Sequence, residues 1–236
     1  MPRAFVYMIA VVSVLTFTAH TQQVDIIAEN RPIDEESRNG GSSENKVYEE
    51  LFKKSFVHQR REHADAVKRL ERIDNYERLY KMIMVLGEKM IDVIESSKSL
   101  IEDANFNPDD RLLPRNVTVQ SALSTVLENT ALFGDIVLHF PEVSHRVLKM
   151  QPKWSSAISW SVNFTSRSGH FLDEKTIALI GLVAQELNIT ERKPGYSNPY
   201  QRSARFQEPN KEAMKTKGSS KKEKRKRGPR ITITEF

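Results

Sequence analysis

AVKRLERIDNYERLYKMIMVLGEKMIDVIESSKSLI, residues 66–101, decides the fold class. Ala66, Leu70, Ile73, Tyr76, Tyr80, Ile83, Gly87, Met90, Ile94, Ser97 and Ile101 recur at three-four spacing. Arg69, Arg72, Glu77, Arg78, Glu88 and Lys89 fall away from that stripe. An apolar row with this period lies along one face of an α-helix and cannot line one face of a strand. Because Tyr, Gly and Ser interrupt the row, the pattern predicts a long helix within a bundle in preference to an autonomous coiled coil. Upstream, Val47, Leu51, Phe52 and Phe56 form another apolar edge, and the polar HQRREHAD (58–65) separates the two. The stretch is therefore expected to be one long helix, or a helix pair hinged at 58–65.

Beyond it, NFNPDDRLLPRN (105–116) carries two prolines and predicts a loop. Thr118 is the expected cap of the following helix, whose core face is marked by Val119, Ala122, Val126, Phe133, Val137 and Phe140. Pro141 suits the first turn of a short helix, PEVSHRVLKM, because the N–H it lacks has no helical partner there. Trp154, Ile158 and Val162 are spaced for a helix, although Ser and β-branched residues around them leave a strand open. Asp173 is placed to cap DEKTIALIGLVAQELNI, with Ile177, Ile180, Gly181, Ala184 and Leu187 along one side. The expected organisation is a signal peptide at 1–21, a flexible leader at 22–45, an all-α domain at 46–190 and a basic tail at 191–236 that is disordered or lies extended over the surface.

Composition agrees with polar ends around an ordinary core. Apolar residues make up 39% of the 236, below the globular share of about 45–50%. The net charge is +5, but residues 211–230 hold ten Lys/Arg and two Asp/Glu, which is +8, so the remainder carries −3. Basicity belongs to the tail, and the domain is not expected to bind nucleic acid. There is no cysteine, which excludes disulfides, thiolate catalysis and cysteine-ligated zinc.

At the start, MPR is followed by residues 4–17 without a charge and then by Ala19-His20-Thr21. This is the layout of a secretory signal peptide; the run is shorter than the roughly 20 apolar residues of a membrane span. A buried N-terminal helix is the alternative. No transmembrane segment is expected in the mature chain. Three N-glycosylation sequons, at Asn116, Asn163 and Asn188, accord with secretory entry.

Catalytic signatures are missing: phosphate-loop, dinucleotide, nucleophile-elbow and HExxH patterns are all absent. His58 and His63, five apart, fall on different helix faces and read as surface residues. His139 and His145 read as capping or packing residues, and Asp103, Asp109 and Asp110 lack calcium-loop spacing. No enzyme, cofactor or metal is expected. Gly134, within an otherwise strong helix, marks close approach by another element, either a tight helix crossing or a docked partner.

ENTALFGDIVLHFPEVSH (128–145), KWSSAISWSVNF (153–164), LVAQELNITE (182–191) and KRKRGPRI (224–231) resemble the coiled-coil domain-containing protein 134 family, in that order. The resemblance covers roughly 46–236. It implies a small helical, non-enzymatic protein of the endoplasmic reticulum lumen, partly secreted. It further implies an adaptor at the translocon and oligosaccharyltransferase that limits hyperglycosylation of the lumenal Hsp90, endoplasmin. Damping of mitogen-activated kinase signalling and a nuclear coactivator-linked role are also attached to the family. Family members end in a retrieval tetrapeptide with Glu before a final Leu; here Ile233, Thr234, Glu235 and Phe236 keep the Glu and end in Phe.

The leading expectation is thus a lumenal adaptor whose partner surface lies around 126–165, with Phe133, Gly134, Asp135, Trp154 and Trp160 as contact candidates. A secreted helical protein modulating kinase pathways is the second, and a nuclear interaction protein using KKEKRKR (221–227) the third.

Overall fold

The computed structural model describes residues 41–201, with side chains from residue 46 onward. Six α-helices occupy the described residues, with no strand: α1 Gly41–Glu71, α2 Tyr76–Asp103, α3 Val117–His139, α4 Pro141–Met150, α5 Trp154–Arg167 and α6 Glu174–Glu186. A 3-10 turn, Gly169–Phe171, joins the last two. The all-α bundle expected from the stripe is what forms. The expected signal peptide, most of the leader, the basic run and the terminal tetrapeptide Ile233, Thr234, Glu235, Phe236 lie outside the described residues.

The axis of the bundle is α3. Every residue from Asn129 to Leu138 is buried, as expected of a helix that is apolar nearly all round. The other five helices pack against it. Beside its N-terminal half, Phe52 and Phe56 of α1, Ile101 of α2 and Phe164 of α5 meet Leu123, Val126 and Leu127, closed by Phe171 and Leu172 of the turn. The Phe52 and Phe171 rings meet edge to face, their centroids 5.8 Å apart. Burying one such ring stabilises the fold by about 1.5–3 kcal/mol.

The long stretch is a helix pair, but its hinge is not at HQRREHAD. Residues 58–65 are continuous helix within α1, and the chain breaks at residues 72–75. The polar run stays helical because Arg60 reaches Asp135 on α3 and in turn holds His63, as described below. The break is set by Asn75, in extended conformation, whose side-chain oxygen accepts the Arg78 N–H at 2.8 Å and starts α2. The remainder of the stripe faces inward: Ile83, Gly87, Met90, Ile94, Ser97 and Ile101 are all buried.

Other boundaries moved for identifiable reasons. α1 begins at Gly41, inside the expected leader. Asn116, not Thr118, caps α3: its Oδ1 accepts the Thr118 N–H at 2.8 Å. Residues 153–165 form helix, with Trp154, Ile158 and Val162 buried. α4 and the Asp173 cap of α6 form where expected. The face of α6, however, is rotated: Thr176, Leu179, Ile180, Val183 and Ala184 are buried, while Ile177 is exposed and Gly181 faces open space. IALIGLVA is apolar around most of its circumference, so period alone allows either face; fit against α3 decides it.

Two glycines bring helices close. A Cβ on Gly134 of α3 would lie 2.8 Å from Cγ2 of Val183 on α6. One on Gly87 of α2 would lie 2.7 Å from the Trp154 ring of α5. Both distances are shorter than carbon contacts allow, so these crossings require the missing side chain.

Candidate functional site

The first polar constellation lies between α1 and α3. Along α1, Phe52 and Phe56 are followed on the inward stripe by Gln59 and His63, then Val67 and Leu70, all buried. Polar groups in such positions need partners. Arg60 supplies the main tie: Nη1 donates to Asp135 Oδ2 at 2.6 Å and Nη2 to Asp135 Oδ1 at 3.1 Å. The two side chains are 17% and 8% exposed. Arg60 Nη1 also donates to His63 Nδ1 at 3.0 Å. Burial, with the Arg60 charge adding to it, depresses the His63 pKa to about 3, so this imidazole is a neutral acceptor. His63 is thus interior, not the surface residue expected from its spacing to His58.

Two turns earlier on α3, Glu128 accepts the Ser124 hydroxyl at 2.6 Å. Burial pushes its pKa up to about 7; the Ser124 hydrogen bond works against that and the Glu62 charge adds to it. Arg60, His63, Asp135 and Glu128 are each engaged by another side chain of the bundle. The arrangement fixes how α1 lies on α3.

A second constellation is a strap. After α6, Ile189 N–H bonds back to Ala184 O at 2.8 Å, and Asn188 adopts a left-handed conformation with φ 55°. Residues 191–201 then run over the bundle, which is the surface course expected as the alternative to disorder for this part of the tail. Its attachment rests on side chains that reach back. Asn198 is buried and its Nδ2 donates to Leu138 O at the end of α3, 2.8 Å away. Tyr196 OH donates to Glu186 Oε2 at 2.8 Å, and His145 Nε2 lies 3.0 Å from Glu186 Oε1. Burial alone would raise the Glu186 pKa, but the hydrogen bonds from His145 and Tyr196 and the nearby cations leave it lowered overall. Burial and the Glu186 contact push the Tyr196 phenol up to about 12. Tyr200 packs on His139, ring centroids 4.7 Å apart.

The third feature is outward. α1 packs on α3 and the 3-10 turn, which leaves its opposite side uncovered by the described residues. On that side Val47 is 54% exposed, and Leu51 and Val57 are each 38% exposed. Lys53, Lys54, Val57, His58 and Arg61 line a shallow hollow of about 290 Å³. At the helical repeat of roughly 100° per residue, Val47, Leu51, Lys54, Val57, His58 and Arg61 share about a third of the circumference, opposite Phe52, Phe56 and His63. The sequence edge Val47-Leu51-Phe52-Phe56 therefore merged two faces; a helical projection separates Leu51 from Phe52.

The residues anticipated as partner contacts are mostly interior. Phe133, Gly134 and Trp154 are buried at helix crossings, and Asp135 holds Arg60. An apolar stripe at helical spacing reads alike for core and interface, and here it is core. Trp160 alone stays partly exposed, stacked on Phe164 with its centroid 4.9 Å away and with Lys98 Nζ 5.3 Å from the ring. Of the sequons, Asn116 and Asn188 are exposed at a helix cap and a helix exit. Asn163 is exposed mid-helix, but its Thr165 is fully buried. Among the described residues no group of three or more His, Asp or Glu side chains is placed to hold a metal, and no helix is long and apolar enough to cross a membrane.

Known proteins bear on this arrangement. A family model described as "ERK and JNK pathways, inhibitor" matches residues 37–232. The chain is similar to coiled-coil domain-containing protein 134 of Xenopus tropicalis, 33% identical over 151 residues, covering 64% of this chain and 66% of that protein. To the Mus musculus protein of the same name it is 33% identical over 150 residues, covering 64% and 65%. The matched region thus spans just under two thirds of those relatives' length. No solved structure matches the chain.

Proposed function

The chain belongs to the family described as "ERK and JNK pathways, inhibitor", and from that membership we propose that it damps ERK and JNK signalling by binding a protein, without catalysing a reaction. The family match carries the reading. Two structural observations support it: the described titratable clusters are engaged inside the bundle, and the accessible apolar–cationic surface lies on the outside of a helix, where a macromolecule can reach it. The residue pattern at 1–21 supports entry into the secretory pathway, so that the protein acts from the lumen or the cell exterior. The test is phosphorylation of ERK and JNK in stimulated cells that express the chain or receive it in the medium. Lowered phosphorylation of both is expected; unchanged levels overturn the reading.

A second reading is favoured by the accessibility of Asn116 and Asn188: a lumenal adaptor of the endoplasmic reticulum that assists endoplasmin near the oligosaccharyltransferase. Loss of the chain should then produce hyperglycosylated endoplasmin, visible as a slower band that glycosidase collapses. Unchanged endoplasmin in cells lacking the chain rejects this alternative.

A further inference from the structure

We propose that the outer face of α1, over residues 51–61, is a docking surface for an acidic amphipathic segment of a partner protein. The proposal deepens the protein-binding reading above by naming the surface and the chemistry of what it takes.

Charge complementarity selects the occupant. Residues 51–61 hold Lys53, Lys54, Arg60 and Arg61 and no carboxylate, and none lines the hollow; the exposed Glu50, one turn before Lys54, bounds the surface on its N-terminal side. Arg60 is turned inward to Asp135, and Lys53 meets Glu49 at 2.7 Å. Among the described residues neither Lys54 nor Arg61 is in an ion pair. They flank Val57 at the rim of the hollow, with Leu51 the next exposed apolar residue toward the start of the helix. An acidic segment with apolar residues three or four apart would set its apolar side on Leu51 and Val57 and its carboxylates on Lys54 and Arg61.

Other occupants fit less well. A membrane surface calls for a broad apolar face, and the broad one of α1, with Phe52, Phe56, Val67 and Leu70, is already committed to the bundle. A second copy meeting the hollow about a two-fold axis through Val57 would bring the cations that flank it, Lys54 and Arg61, against each other with no carboxylate in the hollow between them.

The experiment selects displayed random peptides of about fifteen residues on the full chain, then measures synthetic versions of those retained. Retained peptides should be rich in Asp and Glu with apolar residues at helical spacing. Their affinity should fall about tenfold or more in K54E/R61E and in L51S/V57S, and stay unchanged in V93S, an exposed change on α2. All three are surface substitutions, and circular dichroism verifies that the helices persist. No acidic enrichment, or equal binding by the variants, overturns the proposal. So does self-association, or binding to about 3:1 phosphatidylcholine–phosphatidylserine vesicles, that the same substitutions abolish while peptide binding is absent. ERK and JNK phosphorylation is read in parallel. Inhibition without peptide selection rejects this surface and leaves the functional reading intact; selection without inhibition does the reverse.

Discussion

Arg60 and Asp135 close the seam between α1 and α3 through two hydrogen bonds, at 2.6 and 3.1 Å, between side chains largely withdrawn from water. Removing one member leaves the other charged and unpaired in a poorly solvated place. Asp135→Ala should therefore cost about 3 kcal/mol in urea unfolding, and more than the double replacement Arg60→Met with Asp135→Leu, which discards both charges together. A loss in the double variant equal to the sum of the losses in Arg60→Met and Asp135→Leu measured singly would mean that the pair is not energetically coupled.

Gly134 and Gly87 are both mid-helix, where Ala would ordinarily gain about 1 kcal/mol. Here the added Cβ meets Val183 or Trp154 at under 3 Å. Val183 is fully buried and β-branched, so it cannot turn aside, whereas Trp154 lies at the edge of the core. Gly134→Ala should destabilise by about 2 kcal/mol and Gly87→Ala by less. Val183→Ala should restore part of the loss in Gly134→Ala, since it removes the opposing methyl groups. Thermal midpoints of the two singles and the double variant decide this.

How far the sequence foretold these features follows from what each depends on. Helix type was legible in residues 66–101 because it depends on period alone, and the cap at Asp173 acts over three residues; the cap at Asn75 is as local but was missed, because the apolar row continues across it. The interior position of His63 was not legible, because an imidazole reads as surface until its neighbours on α3 are known. The face of α6 failed for a related reason: Ile177 and Val183 are equally apolar, and only the groove at Gly134 chooses between them. The contact candidates were not separable from core in the sequence, since Phe133 and Trp154 carry the same signal whether a partner or the bundle itself covers them. Asn198 lies in a Pro-rich stretch with no period, and nothing local announces that it reaches Leu138 O.

Two buried titrations of opposite sign shape the pH dependence. His63 has a folded pKa of about 3 against 6.5. The unfolded chain takes up that proton first, and stability falls as pH drops from about 6.5 toward 3. Glu128 has a folded pKa of about 7 against 4.5. The folded chain holds that proton longer, so its contribution is complete below about pH 4.5 and is lost as pH rises to about 7. The two partly cancel between about pH 4.5 and 6.5. Glu128→Gln should therefore raise the urea midpoint relative to the parent at about pH 8, with the advantage vanishing near pH 4.5. His63→Gln should remove the loss on the acid side. Parallel pH profiles for parent and variants would contradict both assignments.

The strap depends on single side chains where it crosses the bundle. Asn198→Ala leaves Leu138 O without its 2.8 Å partner and should cost about 1–2 kcal/mol. The loss should be local. Hydrogen exchange at Tyr196 and Gln201, whose N–H groups bond within this segment, should accelerate while α2 is unaffected. Uniform acceleration across all helices would instead make Asn198 part of the global fold.

The three sequons differ in what surrounds the acceptor. Asn116 is exposed, and the cap it forms uses Oδ1, leaving the nitrogen that carries a glycan free of that bond. Asn188 is exposed at the left-handed exit of α6, with Thr190 also exposed. At Asn163 the sequon is wound into α5 and Thr165 is fully buried, so recognition there has to precede folding of the helix. In protein made through the secretory pathway, Asn116→Gln and Asn188→Gln should each remove one glycosidase-sensitive mobility step, and Asn163→Gln should remove none. The bundle also explains why loss of either glycan should leave the fold intact, since neither exposed side chain contributes to the core. If Asn163 carries a glycan and the exposed pair do not, accessibility in the folded bundle is not what selects the sites. If no variant shifts, the chain has not met the glycosylation machinery, and the lumenal adaptor loses its support while inhibition by protein binding stands on its own test.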